Sequence, residues 1–391
     1  MDYSDEQIAL CALNRIFGYH PTLALELIRK AGSALAVFAG DAPQPPSHPE
    51  LSAQVNPAAL DWAREELRRV ADGGFRFLGL TDEDYPPLLR ECPDPPLGLY
   101  LNGSSSPTEI FSLRPIVGVV GTRDLSPYGK AWARKLVEGL SRARVQPCIV
   151  SGLAIGADGI AHRTALDTGL PSIGVMATGI DAVYPWQHER LAMEMVRTPG
   201  CALVTDYPLR TAPVALNFIR RNRIIAGLAR AVVVVESKSK GGSLMTARYA
   251  TEYGRDVYAL PGRADDLRSA GCNSLIRENM AEIITTPEDL AARLGLGVPV
   301  RGAGGSWAVS RGDEAAEKRL RKGLERSFGP EALPVTIGLA VRECRGVSVE
   351  ELSERLHRPL SEVLPAVALL ETEGFLTTDL LRRCSLGPDW D

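Results

Sequence analysis

Residues 231–236 read Ala-Val-Val-Val-Val-Glu, a run of apolar residues that ends at an acidic one. Strands of a parallel sheet are buried on both faces and lose the alternation of apolar and polar residues, so this run is predicted to form a central strand. Six further short apolar runs lie on either side of it, separated by amphipathic stretches of helical length. They are residues 116–120, 148–150, 172–176, 202–204, 257–260 and 282–284. This alternation predicts an α/β fold with a doubly wound, mostly parallel sheet.

The composition indicates a folded chain but does not identify its ligand. The 391 residues include 44 basic and 48 acidic side chains, a formal net charge of −4, and 45% are hydrophobic. This length is typical of two or three domains, and the apolar content excludes disorder as the main state. Uncharged stretches such as residues 168–180 are shorter than the roughly 18 apolar residues of a membrane span, and the N-terminus lacks a basic leader. We expect a soluble, cytoplasmic protein that does not bind membranes.

Charge is distributed unevenly along the chain. Residues 1–105 carry 8 basic and 15 acidic side chains, residues 106–297 carry 23 and 18, and residues 298–391 carry 13 and 15. The middle segment therefore has a net charge of +5 between ends of −7 and −2. Because cations that contact phosphates supply much of the affinity for a polyanion, any site of this kind is expected in the middle segment.

The cysteines do not suggest a disulfide framework or a zinc site. Seven of them lie far apart, at positions 11, 92, 148, 201, 272, 344 and 384. Their number is odd, and no two have the close spacing of metal ligands. They are predicted to be small buried hydrophobes in a reducing compartment. We expect neither a metal nor a cofactor.

Composition divides the chain into five segments. The predicted boundaries are a helical domain 1–72, an extended lead-in 73–114, the α/β domain 115–297, a linker 298–329 that contains the glycine-rich residues 301–306, and a domain 330–391. In the first domain, a turn at residues 18–21 also fits a helix-hairpin-helix module that binds DNA phosphates. However, His20 stands where such a hairpin needs a second glycine, and the segment is acidic. Packing or protein contact is therefore favoured there.

The last domain has the pattern of a winged helix. Helices are predicted at residues 336–343, 348–356 and 361–373, with Ser348 and Glu351 spaced as a capping box, and a hairpin is predicted from residue 374. The third helix has three glutamates and no lysine or arginine, and residues 330–391 have a net charge of −5. A helix that reads a DNA groove needs cations. We therefore predict protein contact for this domain, with Arg382 and Arg383 as candidate DNA backbone contacts.

Ligands of doubly wound sheets bind beyond the carboxyl ends of the strands, and the first strand is followed there by Gly121-Thr122-Arg123. Glycine lets a ligand approach the backbone, the next helix is expected to offer unpaired amides, and Arg123 offers a fork for a phosphate. The pattern is not GxGxxG, and the Gly-Lys-Ala of residues 129–131 lacks the hydroxyl residue of a P-loop. A tight turn without a ligand is the alternative.

The second strand is followed by Ser151-Gly152 and then by two residues that resemble an acid–base pair. Asp158 and His162 are four residues apart and so lie on one face of a helix. No nucleophile accompanies them in the sequence. A structural histidine that bonds to Asp158 is therefore predicted.

The strongest cluster is at residues 217–227, which read Asn-Phe-Ile-Arg-Arg-Asn-Arg-Ile-Ile-Ala-Gly. Three arginines in four residues lie beside Phe218, a candidate surface for base stacking, although an ordinary basic helix face would look similar. After the central strand, Gly241-Gly242-Ser243 can form an amide-lined anion nest at a helix start, flanked by Lys238 and Lys240. Two phosphate-binding loops and an arginine cluster on one sheet edge indicate an extended polyanion.

At these residues the sequence resembles the DNA-processing protein A family (DprA, also called Smf). Six stretches occur in the family's order and spacing and together cover most of the middle segment. They are VGVVGTRDLSPYGK (117–130), SGLAIGADGIAH (151–162), ATGIDAVYP (177–185), NFIRRNRIIAGLARAVVVVES (217–237), GGSLMTARYATEYGRDVYALPG (241–262) and SAGCNSLI (269–276).

The resemblance implies a Rossmann-like DNA-binding domain between a sterile-alpha-motif-like N-terminal domain and a C-terminal winged helix. It also implies a protein without catalytic activity that binds single-stranded DNA taken up in natural transformation, the state called competence. Such a protein protects the DNA and loads RecA recombinase onto it past single-strand-binding protein, so that DNA recombination can begin. Homodimerisation through the Rossmann-like domain is implied as well.

The family's DNA-contacting motifs fall on residues 121–123, 221–223 and 241–244 of this sequence. Ile155 stands where an arginine is common in the family, and His188 stands where an asparagine is common. Residues and resemblance together give these candidate DNA-binding residues: Gly121, Thr122, Arg123, Ser151, Gly152, Phe218, Arg220, Arg221, Asn222, Arg223, Lys238, Lys240, Gly241, Gly242, Ser243 and Leu244.

Two other kinds of function are alternatives. An enzyme on a related scaffold, such as a nucleotide phosphoribohydrolase, would use the same glycine loops for a single phosphate. Residues 241–246 lack the third glycine of the loop in such enzymes, however, and Glu252 is the only carboxylate close downstream. A structural adaptor that uses only the acidic ends would leave the arginine cluster unexplained.

Overall fold

All seven apolar runs predicted as strands lie in one nine-stranded sheet in the computed structural model. The strands of this sheet are β1 (Arg76–Gly79), β2 (Gly98–Asn102), β3 (Ile116–Val120), β4 (Cys148–Ser151), β5 (Ser172–Val175), β6 (Ala202–Thr205), β7 (Ala231–Val234), β8 (Asp256–Ala259) and β9 (Glu282–Ile283). The structure describes residues 3–39, 48–297, 311–330, 332–343, 347–378, 383–386 and 390, without the side chains of 311–317, 343, 383 and 385.

The strand order is β1-β2-β6-β5-β4-β3-β7-β8-β9. Neighbouring strands from β6 to β9 in this order are parallel, whereas β1 and β2 are antiparallel and extend one edge. The chain builds the sheet outward from β3 through β4 and β5 to β6, then returns to place β7 on the other side of β3. The carboxyl ends of β3 and β7 therefore flank the point where the winding direction reverses. The prediction of a doubly wound, mostly parallel sheet is confirmed.

Helices cover both faces of the sheet and form the N-terminal region. They are α1 (Asp5–Phe17), α2 (Pro21–Ala31), α3 (Ala34–Phe38), α4 (Pro49–Ser52), α5 (Pro57–Asp72), α6 (Pro87–Arg90), α7 (Pro107–Phe111), α8 (Pro127–Ser141), α9 (Ala157–Asp167), α10 (Glu189–Arg197), α11 (Ala215–Leu228), α12 (Ser243–Glu252), α13 (Ala270–Arg277) and α14 (Pro287–Arg293), with a 3-10 turn at Trp186–His188. Several begin at a serine cap or with proline in the first turn, where a missing N–H costs nothing.

Both faces of the central strands are buried, which explains their unbroken apolar sequence. Val117 and Val119 of β3 pack in one hydrophobic cluster with residues of α8, α9 and α14. Val120 of β3 and Val232 of β7 point to the other face and belong to a cluster that includes residues of α11 and α12. The sheet is thus the middle layer of three.

Residues 73–114, predicted as an extended lead-in, form β1, β2 and two short helices. The N-terminal helices share a core with these strands, since Cys11 and Leu67 lie in one cluster with Phe77 and Tyr100. Met1–Val300 accordingly form one compact unit, and Arg301–Asp391 form a second. The predicted segment between helices and sheet is therefore part of the packed structure.

The second unit contains α15 (Arg311–Phe328), α16 (Leu333–Glu343), β10 (Val347–Ser348), α17 (Val349–Leu356), α18 (Leu360–Thr372), β11 (Leu376–Thr378) and β12 (Arg383–Leu386). The three strands form an antiparallel sheet, and Ser348 forms the predicted capping box with Glu351. This is the order of elements expected of a winged helix, and that assignment stays a prediction. The glycine-rich residues 301–306, Arg382 and the side chain of Arg383 lie outside the described part.

The second half of the predicted linker is helical. Leu320 and Leu324, one turn apart on α15, are 1% and 0% exposed and lie in the core of the second unit. The charged residues around these two leucines suggested a solvated linker. Composition alone does not show that another surface covers the leucines. The helix exists because its apolar stripe is covered by the rest of the unit.

Two further observations apply only to the described residues. No helix among them is long and apolar enough to cross a membrane. Six cysteines are buried thiols, and no cluster of metal-ligating side chains is found in the same ranges. Cys344 lies outside them.

Leu324→Ala is expected to destabilise the second unit by about 2–5 kcal/mol, because truncating a fully buried leucine leaves a cavity. The measurement is hydrogen exchange in the full chain, followed at the amides of α16 and α18. Lys318→Ala removes an exposed side chain from the same helix and is the control. If both variants left the exchange unchanged, residues 311–328 would be a linker after all.

Candidate functional site

A cleft of about 890 Å³ opens at the carboxyl ends of β3 and β7. Its walls are residues 120–123 after β3, residues 238–243 after β7, and one side of α11. Open α/β sheets bind ligands where the winding direction reverses, because the loops diverge there and leave a crevice. The topology therefore places this cleft where a ligand is expected.

The Gly121 position requires glycine because two strands and a helix meet there. The Thr122 amide donates to the Glu236 carbonyl at 2.7 Å. A Cβ atom on Gly121 would lie 2.8 Å from the Cβ of Ala157 and 3.2 Å from the Glu236 carbonyl oxygen. Glycine is thus explained by packing alone, and it also leaves Thr122 and the exposed Arg123 on the cleft wall.

The expectation that the helix after β3 offers unpaired amides is wrong. Ser126 caps α8 by accepting a bond from the Gly129 amide at 3.0 Å. The buried carboxylate of Glu236 lies at the same helix end, where it accepts the Ser126 amide at 2.9 Å and the Ser126 hydroxyl. An acidic side chain of the protein thus occupies the place where the helix dipole would attract a phosphate.

The start of α12 is open instead. Its N-cap residue, Gly242, makes no side-chain cap bond. The Gly241 amide donates to the Lys238 carbonyl at 2.9 Å, which closes a tight turn, and Asn222 holds the Gly242 carbonyl at 3.3 Å. Lys238 and Lys240 are exposed beside it. The Leu244 and Met245 amides already donate to the carbonyls of Gly241 and Gly242 at 3.1 Å. The Gly242 and Ser243 amides have no partner among the described residues, and together with the two cations they form a suitable site for an anionic oxygen.

Three side chains form a layered aromatic wall on the cleft. The Arg123 guanidinium lies 5.4 Å from the centre of the Phe218 ring, and the Tyr184 ring packs edge-on against Phe218 at 5.4 Å. Tyr184 was not predicted as a site residue. In the sequence it is an aromatic residue in the loop that follows β5, within the family-like stretch 177–185. A planar base can stack on such a surface while Arg123 meets a phosphate.

The arginine cluster does not form the basic surface that the sequence suggested. Arg221 is 4% exposed, and its guanidinium donates to the carbonyls of Gly152 and Val175 at the ends of β4 and β5. Burial lowers the pKa of Arg221 to about 10, while the nearby Asp158 carboxylate opposes this shift. Arg221 lies in the cleft floor as a support for the strand ends.

The other two arginines also have partners inside the fold. Arg223 is 3% exposed and forms an ion pair with Asp206 at 2.7 Å. Arg220 lies 4.6 Å from the centre of the Tyr19 ring, so the turn between α1 and α2 holds it. Helical periodicity could not predict this burial, because α11 is enclosed by the sheet on one side and by α6, α12 and the N-terminal turn on others.

The remaining predicted residues are mostly internal supports. The Ser151 hydroxyl donates to the Val119 carbonyl at 2.6 Å, and Gly152 is buried against Arg221. The Ser243 hydroxyl donates to Ser237 at 2.9 Å, and Leu244 packs on the hydrophobic core. Their burial favours a supporting role for these side chains over direct contact with a ligand.

His162 is structural, but its predicted partner is wrong. Its Nδ1 atom lies 2.8 Å from the Ser172 hydroxyl on β5, because α9 turns this ring toward the sheet. The Asp158 carboxylate instead accepts the Ala154 amide at 3.3 Å. Burial lowers the pKa of His162 to about 3. The pair is therefore not an acid–base couple.

The enzyme alternative finds no exposed carboxylate among the described residues that line the cleft. Asp158 lines it, but this residue is 7% exposed and its carboxylate accepts the Ala154 amide. Glu252 is exposed at the last position of α12 and does not line the cleft. Glu236, the acidic residue that closes the apolar run, is buried and bonded to Ser126. Among the described residues, the carboxylates near the loops serve the structure.

The doubly wound sheet defines a Rossmann-like protein, and the helix start, exposed cations and stacked aromatics at its reversal point are features that suit a polyanion. The family model described as DNA recombination-mediator protein A matches residues 76–295, and the chain belongs to this family. Its members are DNA-binding recombination mediators and not enzymes.

Individual relatives agree with this assignment. Protein Smf of Synechocystis is 42% identical over 61% of this chain and 58% of its own length, so the match spans less than two thirds of that relative. The X-ray structure of DNA processing protein A from Streptococcus pneumoniae gives a TM-score of 0.58 at 30% identity, over 75% of this chain and 98% of its own. The Helicobacter pylori protein, described by its single-stranded DNA binding mode, gives 0.50 at 27% identity, over 56% and 95%.

His162→Gln is expected to make stability less dependent on acid. The pKa of His162 is about 3 in the folded chain and about 6.5 when unfolded, so the unfolded state binds the proton first. The stability from the neutral ring is complete above pH 6.5 and falls as the pH drops toward 3, by up to about 1.4 kcal/mol per pH unit. Urea unfolding between pH 7 and pH 4.5 measures this slope.

Glutamine retains an N–H for Ser172, so the variant is expected to fold. The exposed His20 provides the matched control, since His20→Gln should keep the wild-type slope. An unchanged slope in His162→Gln would contradict the assignment of His162 as a buried neutral side chain.

Proposed function

We propose that this protein binds single-stranded DNA in the cleft at the ends of β3 and β7. The observation that carries the proposal is the meeting of Arg123, the open start of α12 and the Phe218–Tyr184 wall in one crevice. Cations and amides suit the phosphates, and aromatic rings suit unstacked bases.

The proposal assigns different roles to the predicted residues. Arg123, Lys238 and Lys240 contact phosphates, and Gly242 offers a backbone amide beside them. The Thr122 amide is held by the Glu236 carbonyl, so Thr122 offers its hydroxyl to the strand. Phe218 stacks on a base, with Tyr184 supporting the ring. A duplex keeps its bases stacked inside, so this wall favours a single strand. Arg221 and Arg223 hold the cleft in shape and do not touch the DNA.

The family and the charge distribution support a wider role. We propose that the protein acts in the cytoplasm during natural transformation, where it protects incoming single strands and loads RecA recombinase onto them past single-strand-binding protein. Residues 1–105 and 298–391 have net charges of −7 and −2, which suits contact with proteins better than contact with DNA. A homodimer is the assembly that we propose, and light scattering of the full chain tests it.

Arg123→Ala is expected to weaken binding to oligodeoxythymidine about tenfold and to lower the salt slope by about 0.7, the contribution of one phosphate contact to a single strand. Fluorescence anisotropy at several salt concentrations measures both quantities.

Arg230→Ala is the matched control, because Arg230 is exposed before β7, at the amino ends of the strands. Its binding should equal that of the wild type. If wild type and Arg123→Ala bound the oligonucleotide with equal affinity, the proposed site would be wrong. If Arg123→Ala and Arg230→Ala lost the same affinity, the effect would be one of general charge.

The loading role predicts that the protein shortens the lag before RecA hydrolyses ATP on single strands coated with single-strand-binding protein. We expect the lag to fall severalfold with the wild-type chain and to remain long with Arg123→Ala, because loading requires the DNA contact. A wild-type chain that binds DNA yet leaves the lag unchanged would contradict loading while leaving DNA binding intact.

A further inference from the structure

A second groove, of about 450 Å³, runs between α8 and α9. Arg123 lines both this groove and the cleft described above. The cleft and the groove therefore meet at Arg123.

The groove has two cations that the fold does not use. Lys130 and Arg134 lie four residues apart on α8, so they occupy one face and are about 6 Å apart along the helix axis. Both are exposed, and neither has an ion-pair partner within the described residues. This spacing is of the same order as that between successive phosphates of an extended strand.

The acidic residues of the groove leave these cations largely uncompensated. Asp124 lies 3.7 Å from the guanidinium of Arg268. Asp167 lies 3.8 Å from the guanidinium of Arg163, which also pairs with Glu194 at 2.9 Å. Glu138 is the remaining carboxylate of the lining, and it lies one turn beyond Arg134 on α8. With Arg123 at its mouth, the groove is net positive where it joins the cleft.

Ile155 and His188 also line the groove. Ile155 is 46% exposed, and the His188 ring packs against Gly159, where it bonds through Nδ1 to the Leu153 carbonyl at 2.7 Å. Ile155 therefore offers no charge on this wall, and α8 on the opposite side supplies Lys130 and Arg134.

We propose that the α8–α9 groove is a second section of the DNA path, in which Lys130 and Arg134 bind phosphates of the strand that continues from the cleft. The proposal rests on the proposed function, because it extends the same ligand. It assigns a role to Lys130, which the sequence pattern excluded from a P-loop.

The test is the double variant Lys130→Gln/Arg134→Gln, titrated with two lengths of oligodeoxythymidine. A strand of about 5 nucleotides fills only the cleft, whereas one of about 20 nucleotides reaches the groove. We expect unchanged affinity for the short strand. For the long strand we expect at least a fivefold loss at about 0.1 M salt and a salt slope lower by about 1.4, for two phosphate contacts.

Two controls separate a path from general charge. Lys135→Gln removes one cation from the same helix, but Lys135 lies over the Trp132 ring and does not line the groove. It should bind both strands as the wild type does. Lys130→Arg/Arg134→Lys keeps both charges and should restore long-strand binding.

The outcomes distinguish this proposal from the proposed function. If the wild type and the double variant bound the long strand equally, the proposed DNA-binding role of the groove would be wrong. The same result is expected if the groove binds an acidic protein and not DNA. A loss for the short strand as large as for the long one would also overturn the proposed role. If the wild type bound neither strand, the proposed function itself would fail.

Discussion

The buried carboxylate of Glu236 is the interaction on which the site depends. A charge in a protein interior must be paired or hydrogen-bonded, and here the backbone and hydroxyl of Ser126 bond to it. The carbonyl of the same residue accepts the Thr122 amide, so one position joins the end of β7, the loop after β3 and the start of α8. This junction fixes both loops of the cleft. It also fills the α8 end with negative charge, which leaves the α12 start as the place for an anion.

The buried arginines follow from a related need. Strands that end in a cleft leave carbonyl groups that no neighbouring strand can satisfy, and an unpaired buried carbonyl is costly. Arg221 donates to two of them, at the ends of β4 and β5, and Arg223 joins α11 to Asp206 after β6. The arginine cluster thus shapes the cleft, and the positive charge offered to a ligand comes from Arg123 and the lysines after β7.

These two facts explain what the sequence could and could not predict. The strands were predictable because burial on both faces requires an unbroken apolar run, as in residues 231–235. The glycine loops were predictable because close approach excludes a side chain. The buried face of α11 was not predictable, because the helix is enclosed on several sides. Tyr184 was missed because only the tertiary structure brings it to Phe218. Helix α15 was missed because two leucines stabilise a helix only when a partner surface covers them.

The burial of the titratable groups also explains why the proposed function is DNA binding without catalysis. General acid–base catalysis needs a group that is free to exchange a proton near neutral pH. Burial lowers the pKa of His162 to about 3, and the ring faces Ser172 and not the ligand. Burial raises the pKa of the Asp158 carboxyl, but this group is buried, accepts the Ala154 amide and lies near the Arg221 guanidinium. What the described cleft offers a strand is charge, backbone amides and aromatic surface. Each of these features binds every nucleotide alike. A protein that covers strands of any sequence and then delivers them to a recombinase needs this property.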